Sequence, residues 1–318
     1  MKFRSLGRSG LQVSLAGLGC NNFGGRLDQA GADAVVHEAL DQGITYFDTA
    51  DMYGDGQSEV LLGKALGARR RDVILGTKFG WTFGEGPYNS GGSRHYVYKA
   101  IEGSLRRLGA DYIDLFQFHL PDAHTPIEET LEALTDLVRE GKVRYIGSSN
   151  FAGWQIADAD WAATSGNLAR FVSAQNDWSL LDRSVEAEVI PACQRFGVGM
   201  LPFFPLASGF LTGKYRRGEE PAADSRLALW RKRNPSYVDG VTSETNWDRL
   251  ERLTEFAQER GHTILELALS WLTSQSVVSS VIAGATSPEQ VRSNVAATLA
   301  WELDASAMAE VDSALKRE

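Results

Sequence analysis

The sequence predicts an α/β fold of the TIM-barrel class: a (β/α)8 barrel with an N-terminal hairpin and extra C-terminal helices. Three observations carry this. A short β-rich run followed by an amphipathic helix recurs eight times along 318 residues. That length suits one barrel of about 250 residues plus insertions. The polar residues able to do chemistry fall just past the ends of the β-rich runs, and a closed parallel barrel gathers its strand ends on one face.

The elements follow in order. FRSLGRSGLQVS reads as a hairpin capping the barrel bottom, with Ser9-Gly10 as its turn. Strands are expected near 15–19, 45–48, 73–77, 113–118, 143–148, 171–175, 199–203 and 278–282. Helices are expected near 29–42, 57–66, 94–108, 127–140, 153–165, 184–196, 262–274 and 288–297. DAVVHEALDQG sets Val35, Val36, Ala39 and Leu40 on one face and stops at Gly43. TPIEETLEALTDLVREG repeats the pattern with Ile127, Leu131, Leu134 and Val138, then Gly141. Residues 204–247 exceed the repeat, and a connection that long is usually a lid or binding loop. Further helices are expected near 247–260 and 304–315. No linker or low-complexity tract divides the chain, so residues 1–318 read as one domain.

Bulk composition removes several function classes. Apolar content of 43% and charged content of 23% can fill a core. The net charge of −9 and pI near 5.2 give no electrostatic footprint for nucleic acid and repel anionic membranes. Two cysteines, Cys20 and Cys193, make no disulfide framework and fit a reducing cytoplasm. LQVSLAGLGC resembles a short lipoprotein signal, but it is glycine-broken and Gly17 stands where a lipobox wants Leu, so it reads as a barrel strand. No apolar run approaches the roughly 20 residues of a membrane span. GxGxxG after a strand and GxxxxGK[ST] are both absent. His119 and His124 are separated by Pro121 and lack helical ligand spacing, so no metal site is expected.

The strand ends carry a consistent set. Strand two gives Asp48 with Tyr53 five residues on, strand three Lys78, and strand four His119. Strand five gives Ser149 and Asn150, strand six Gln175, strand seven Phe203 in PFFPLASGFLTGK, and strand eight GATSPEQ. Singly, each has an ordinary structural explanation, such as a helix cap for the aspartate. Together they make a proton-transfer site. An ammonium at Lys78 stabilises the phenolate of Tyr53 and is expected to lower its pKa, while Asp48 holds the lysine. His119 can donate to a carbonyl oxygen that gains charge. Asn150 and Gln175 suit a carboxamide, and Phe203 offers a flat face for a nicotinamide ring. Ser287-Pro288-Glu289-Gln290 is a well-capped helix start whose amides could face a phosphate.

The segments GITYFDTADMYGDGQSEVLLGKAL, VILGTKFG, DYIDLFQFH, VRYIGSSNF, FPLASGFLTGKY and IAGATSPEQVRSN resemble the aldo-keto reductases across essentially the whole chain. The loop style is similar to the bacterial branch that includes potassium-channel β-subunit relatives. The resemblance implies Tyr53 as catalytic acid/base, assisted by Asp48, Lys78 and His119. It implies that Ser149, Asn150 and Gln175 bind the nicotinamide carboxamide and that Phe203 stacks on its ring. Leu206, Ser208 and Lys214 match the pyrophosphate-side loop, and Arg226, Thr286, Gln290 and Asn294 match positions around the adenosine and its phosphate. Three departures stand out. Phe204 replaces a frequent Ser, Gly284 and Gln290 replace a Lys and an Arg of NADPH-preferring relatives, and Ser293 replaces a frequent Glu. Arg226 and Arg292 are then the cations expected near the phosphate.

The implied activity is NADP(H)-dependent reduction of aldehydes and ketones and the reverse oxidation, with NAD(H) as the other cofactor. The rival is a redox-sensing interaction subunit on the same scaffold with slow catalysis. A barrel isomerase or glycosidase would need a metal cluster or paired carboxylates at strand ends, and only Asp48 qualifies there. Trp81, Phe83, Tyr88, Phe23, Phe204 and Trp230 are expected to line an aromatic mouth. The substrate is expected to be a small carbonyl compound or alcohol, with sugars, pyridoxal-like, aliphatic and aromatic aldehydes all open. The sequence does not set the oligomeric state.

Overall fold

The computed structural model describes residues 1–86 and 88–316. β1 (Phe3–Ser5) and β2 (Gln12–Ser14) form the antiparallel hairpin, Phe3 opposite Ser14. The Leu6 N–H reaches the Leu11 carbonyl at 2.8 Å, so the connection runs over residues 7–10 and takes in the expected Ser9-Gly10. The tight turn within it falls on Gly7 and Arg8, where the Ser9 N–H reaches the Leu6 carbonyl at 3.2 Å and Gly7 takes a left-handed φ of 55°.

The main sheet contains β3 (Ala16–Gly19), β4 (Tyr46–Asp48), β5 (Ile74–Phe79), β6 (Ile113–Phe118), β7 (Val143–Ser149), β8 (Phe171–Gln175), β9 (Gly199–Met200) and β10 (Val281–Gly284). All neighbours are parallel, in the order β10-β3-β4-β5-β6-β7-β8-β9. The circle closes between β9 and β10 through a parallel bridge, Met200 to Val278, and through Ile282 N–H to the Pro202 carbonyl at 3.0 Å. β9 is shorter than the expected 199–203 because Pro202 has no N–H to donate. The strand expected at 278–282 begins instead at Val281.

Helices α1 (Gln29–Asp41), α2 (Gln57–Leu66), α3 (Arg94–Leu108), α4 (Ile127–Arg139), α5 (Gly153–Ser165) and α6 (Val189–Phe196) connect the first seven strands. Asp28 caps α1 through the Gly31 N–H, and Ser93 caps α3 through the Tyr96 N–H. The helix expected over 184–196 splits into a 3₁₀ turn at Ser184–Ala187 and α6. Pro191 explains the break: its ring would clash with the carbonyl four residues back, so the helix restarts with proline in its first turn. The long connection after β9 holds a 3₁₀ segment (Ala207–Thr212), α7 (Arg226–Arg233) and α8 (Pro235–Val241). It leads into α9 (Glu244–Gln258), followed by α10 (Ile264–Thr273), which carries a Thr263/Glu266 capping box. α11 (Pro288–Leu299) and α12 (Ala305–Lys316) end the chain. None of the described helices is long and apolar enough to cross a membrane.

Two apolar clusters result. The larger one lies between the sheet and the helices. The smaller fills the barrel with Tyr46, Leu115, Leu201 and Ile282, plugged from below by Leu6 and Val13 of the hairpin. Tyr46 fits because its neighbours have no side chains. A Cβ on Gly76 would lie 2.8 Å from its hydroxyl, and one on Gly17 would lie 3.0 Å from its ring. Side chains alternate along a strand, so Asp48 points inward like Tyr46, one layer nearer the C-terminal rim.

Candidate active site

The four residues expected to meet do meet. Asp48 ends β4, Lys78 is the penultimate residue of β5, and His119 follows β6. The Lys78 ammonium is fully buried and uses all three protons. It donates to Asp48 Oδ2 at 2.6 Å, to the Thr49 carbonyl at 2.8 Å, and toward Tyr53 Oη at 3.4 Å. Asp48 Oδ1 accepts from Gln175 Nε2 at 2.8 Å, and from Gln117 Nε2 and Tyr46 Oη at 3.3 Å each. The His119 ring meets Tyr53 edge-on at 5.8 Å, and its Nδ1 is buried without a partner.

These surroundings set the protonation states. Burial, the largest influence, raises the Tyr53 phenol; the Lys78 ammonium pulls it back, and Asp48 pushes it up again. The net direction is up, contrary to the expected lowering, because desolvation of the phenolate and the Asp48 charge together outweigh the lysine. Tyr53 therefore holds its proton at neutral pH. For Lys78, burial lowers the pKa, but the pairing with Asp48 and Tyr53 overcomes it and the net shift is upward, so the ammonium stays charged. Burial and then Lys78 push His119 down to about 3, leaving a neutral imidazole.

Asp48, Tyr53 and His119 line a cavity of about 1230 Å³ between the strand ends and the long connection, with Lys78 buried behind them. Every residue expected to hold a cofactor lines it: Ser149, Asn150, Gln175, Phe203, Leu206, Ser208, Lys214, Arg226, Thr286, Gln290 and Asn294. Their hydrogen bonds refine the expectation. Asn150 Nδ2 donates to the His119 carbonyl at 3.0 Å, and Gln175 Nε2 is spent on Asp48. Both partners accept only, which fixes the amide orientations and leaves the amide oxygens to face a ligand. Asn150 takes a left-handed φ of 59°, a conformation asparagine tolerates.

The cavity is suited to an anionic ligand on observations of its own. Arg226, the first residue of α7, is mostly buried and lies 5.3 Å over the Phe204 ring. Among the described residues no carboxylate pairs with it, and its Nε is buried without a partner. Burial and neighbouring Arg26 lower its pKa, so this is a desolvated cation in want of an anion. Phe204, Ala207 and Ser208 have φ of 49°, 45° and 57°. Such strain in non-glycine residues costs roughly 1–3 kcal/mol each and collects at ligand-clamping segments. Ser208 Oγ is held by Tyr237 Oη at 2.9 Å.

Some expectations fail. Arg292 is bound to Glu38 at 2.6 Å and Glu289 at 2.8 Å and is not part of the cavity wall. The α11 start is less open than expected. Pro288 has no N–H, and Ser287 Oγ accepts from the Gln290 N–H at 3.4 Å. The Thr286 N–H goes to Gln290 Oε1 at 2.8 Å. Of the aromatic mouth, Trp81, Phe204 and Trp230 line the cavity. Phe23 is buried in the core, Phe83 lies under Arg107, and Tyr88 packs on His95. Sequence reasoning missed Tyr46 and Gln117 as supports of Asp48, and Arg26 in the cavity wall. Alternation on β4 was the signal for Tyr46; Tyr237, on a lid helix, had none.

A model described as "Aldo/keto reductase family" matches residues 16–316. The chain is 39% identical over 305 residues to a rice protein described as a probable voltage-gated potassium channel subunit beta, covering 93% of this chain and 91% of that one. It is 36% identical over 324 residues to an L-glyceraldehyde 3-phosphate reductase of Escherichia coli K12, covering 98% and 92%. It is 37% identical over 308 residues to an uncharacterized oxidoreductase of Bacillus subtilis, covering 93% and 91%.

Proposed function

The chain belongs to the aldo/keto reductase family and is an oxidoreductase acting on carbonyl and alcohol groups; from that premise we propose that it reduces aldehydes and ketones with NADP(H), Tyr53 giving the proton. The nicotinamide supplies the hydride. Tyr53 delivers a proton to the carbonyl oxygen, and the buried Lys78 stabilises the phenolate left behind. Asp48 holds Lys78 charged and in place. The neutral His119 donates to the same oxygen and orients the carbonyl. Ser149, Asn150 and Gln175 hold the carboxamide, and Phe203 gives the ring a flat wall. Leu206, Ser208, Lys214 and Arg226 hold the phosphates, while Thr286, Gln290 and Asn294 take the adenosine end. Arg226 supplies the charge. The reducing cytoplasm is the proposed compartment, consistent with two buried free cysteines.

The observation that carries this reading is Lys78 buried between Asp48 Oδ2 and Tyr53 Oη, two groups that line the cavity. The test is NADPH oxidation with a panel of sugar, pyridoxal-like, aliphatic, aromatic and phosphorylated aldehydes. Tyr53→Phe is expected to lose about 10²- to 10⁴-fold in turnover, with NADPH affinity held within a few-fold. Arg226→Ala is expected to weaken NADPH by about ten- to a hundred-fold, the loss of one charge-assisted contact. Near wild-type turnover in Tyr53→Phe defeats the proton assignment, and equal NADPH and NADH affinities defeat the cofactor preference. The similarity to the plant β-subunit favours a second reading, a redox-sensing subunit with slow catalysis. Turnover that stays slow across the whole panel despite tight NADPH binding selects it.

A further inference from the structure

One buried acid has no task in this chemistry. Asp51 lies two residues before Tyr53 and is 1% exposed. Its Oδ1 has no hydrogen-bond partner, and its Oδ2 lies 3.2 Å from Tyr96 Oη on α3. The neighbouring Glu59 on α2 is better served. Its Oε1 accepts from Thr77 Oγ1 and its Oε2 from Arg107 Nε, both at 2.6 Å. The charged and titratable groups facing Asp51 are thus Glu59 on α2 and Tyr96 and Arg107 on α3. From β5, the Lys78 carbonyl accepts the Asp51 N–H at 3.1 Å. A second carboxylate charge here would face that of Glu59 with one oxygen bare, so the geometry favours a proton on Asp51. Burial and then Glu59 push its carboxyl up to about 7.

Tyr96 Oη also lies 3.3 Å from the Trp81 carbonyl, which takes no other hydrogen bond among the described residues. A phenol has one proton to give. Burial and Asp51 hold the Tyr96 phenol far above its usual range, so that proton stays on. When Asp51 is charged, the phenol must donate to the carboxylate. When Asp51 is neutral, the acid donates to Tyr96 Oη, and the phenol proton goes to Trp81. Trp81 walls the cavity beside His119, with ring centres 5.6 Å apart.

We propose that Asp51 is a positioning residue: its proton sets the direction of the Asp51–Tyr96–Trp81 hydrogen-bond chain and so decides whether the Trp81 wall of the substrate cavity is tied to α3. The effect on substrate rests on the reductase reading; the effect on Trp81 does not. Tryptophan emission is titrated from about pH 5.5 to about pH 8.5 in wild type, Asp51→Asn, Tyr96→Phe and Trp81→Phe, with circular dichroism as the check of folding. Asp177→Asn is the control, because burial and Asp182 push that buried carboxyl to about 7 as well. Wild type and Asp177→Asn show one transition near 7. Trp81→Phe loses it. Asp51→Asn keeps the low-pH emission throughout, since its amide donates to Tyr96 as the neutral acid does. Tyr96→Phe shows the high-pH emission throughout.

Where a carbonyl compound is turned over, its KM rises about five-fold across the same transition, the loss of one ordinary hydrogen bond, with little change in kcat. Asp51→Asn holds the low KM. A transition that survives in Asp51→Asn, or is absent from wild type, overturns the positioning role. A KM independent of pH overturns the link to substrate. The stated emission with no turnover of any carbonyl compound leaves the positioning role standing and sinks the reductase reading instead.

Discussion

Replacing Lys78 with methionine removes a charge and keeps the length of the side chain. The lysine and Asp48 side chains are 0% and 3% exposed and 2.6 Å apart. After the change, Asp48 Oδ2 loses its donor, while Oδ1 keeps Gln175, Gln117 and Tyr46. Breaking a buried ion pair costs about 3–5 kcal/mol, most of it the charge left behind. Three neutral donors soften that, so about 3 kcal/mol is expected, or roughly 4–5 °C in Tm for a chain of this size. Asp48→Asn should cost about the same, because it strands the ammonium between Thr49 and Tyr53. The double variant should cost little more than either alone, giving a coupling of about 3 kcal/mol. Urea denaturation at neutral pH of wild type, both single variants and the double variant closes the cycle. Additive costs would refute the reasoning: the pair would not be the energetic unit, and Tyr53 would owe its environment to something else.

Two other outcomes follow from groups already described. The folded pKa of His119 is about 3 against an ordinary 6.5, so the unfolded chain binds a proton there that the folded chain refuses. Stability should therefore fall as the pH drops through about 6.5 and level off below about 3, by on the order of 5 kcal/mol in all. His119→Gln should remove that loss in thermal melts across the window; an unchanged acid limb would show that the imidazole is not desolvated. Gly76→Ala puts a methyl 2.8 Å from Tyr46 Oη and should cost about 1–3 kcal/mol by overpacking. Pairing it with Tyr46→Phe should recover part of that in chemical denaturation, and no recovery would place the clash elsewhere.

Much of this was legible because strand ends in a barrel are a strong geometric constraint. Asp48, Lys78 and His119 lie on or just past three successive strands, and closing the sheet leaves them little choice but to meet. What was illegible depends on competition between partners. Tyr53 and Lys78 were readable as neighbours, but the net upward shift of the phenol comes from burial, which no spacing encodes. Ser287-Pro288-Glu289-Gln290 reads as an open helix start, yet the Ser287 hydroxyl takes the Gln290 N–H and the Gln290 side chain takes the Thr286 N–H. RLALWRKR hid as a helix because only Leu227 is buried in it. No spacing singles out Asp51, because the Tyr96 that meets its oxygen lies 45 positions away.

The circle of strands is not equally strong all the way round. β6 and β7 pair over long registers, whereas β9 is two residues long and meets β10 through one bridge and a few flanking bonds. In the strand order, β5 and β6 stand diametrically across from that join. The hem of the garment is therefore sewn as far as it can be from Lys78 and His119. β9 runs straight into the lid and β10 into α11, so both edges of the hem belong to the side that would grip a nucleotide. Breathing there, the low-stability end of the molecule's openings, widens the cleft for loading and release. The proton-transfer group stays anchored on the stiff opposite wall. In hydrogen exchange, amides of β9 and β10 should open well before those of β5 and β6.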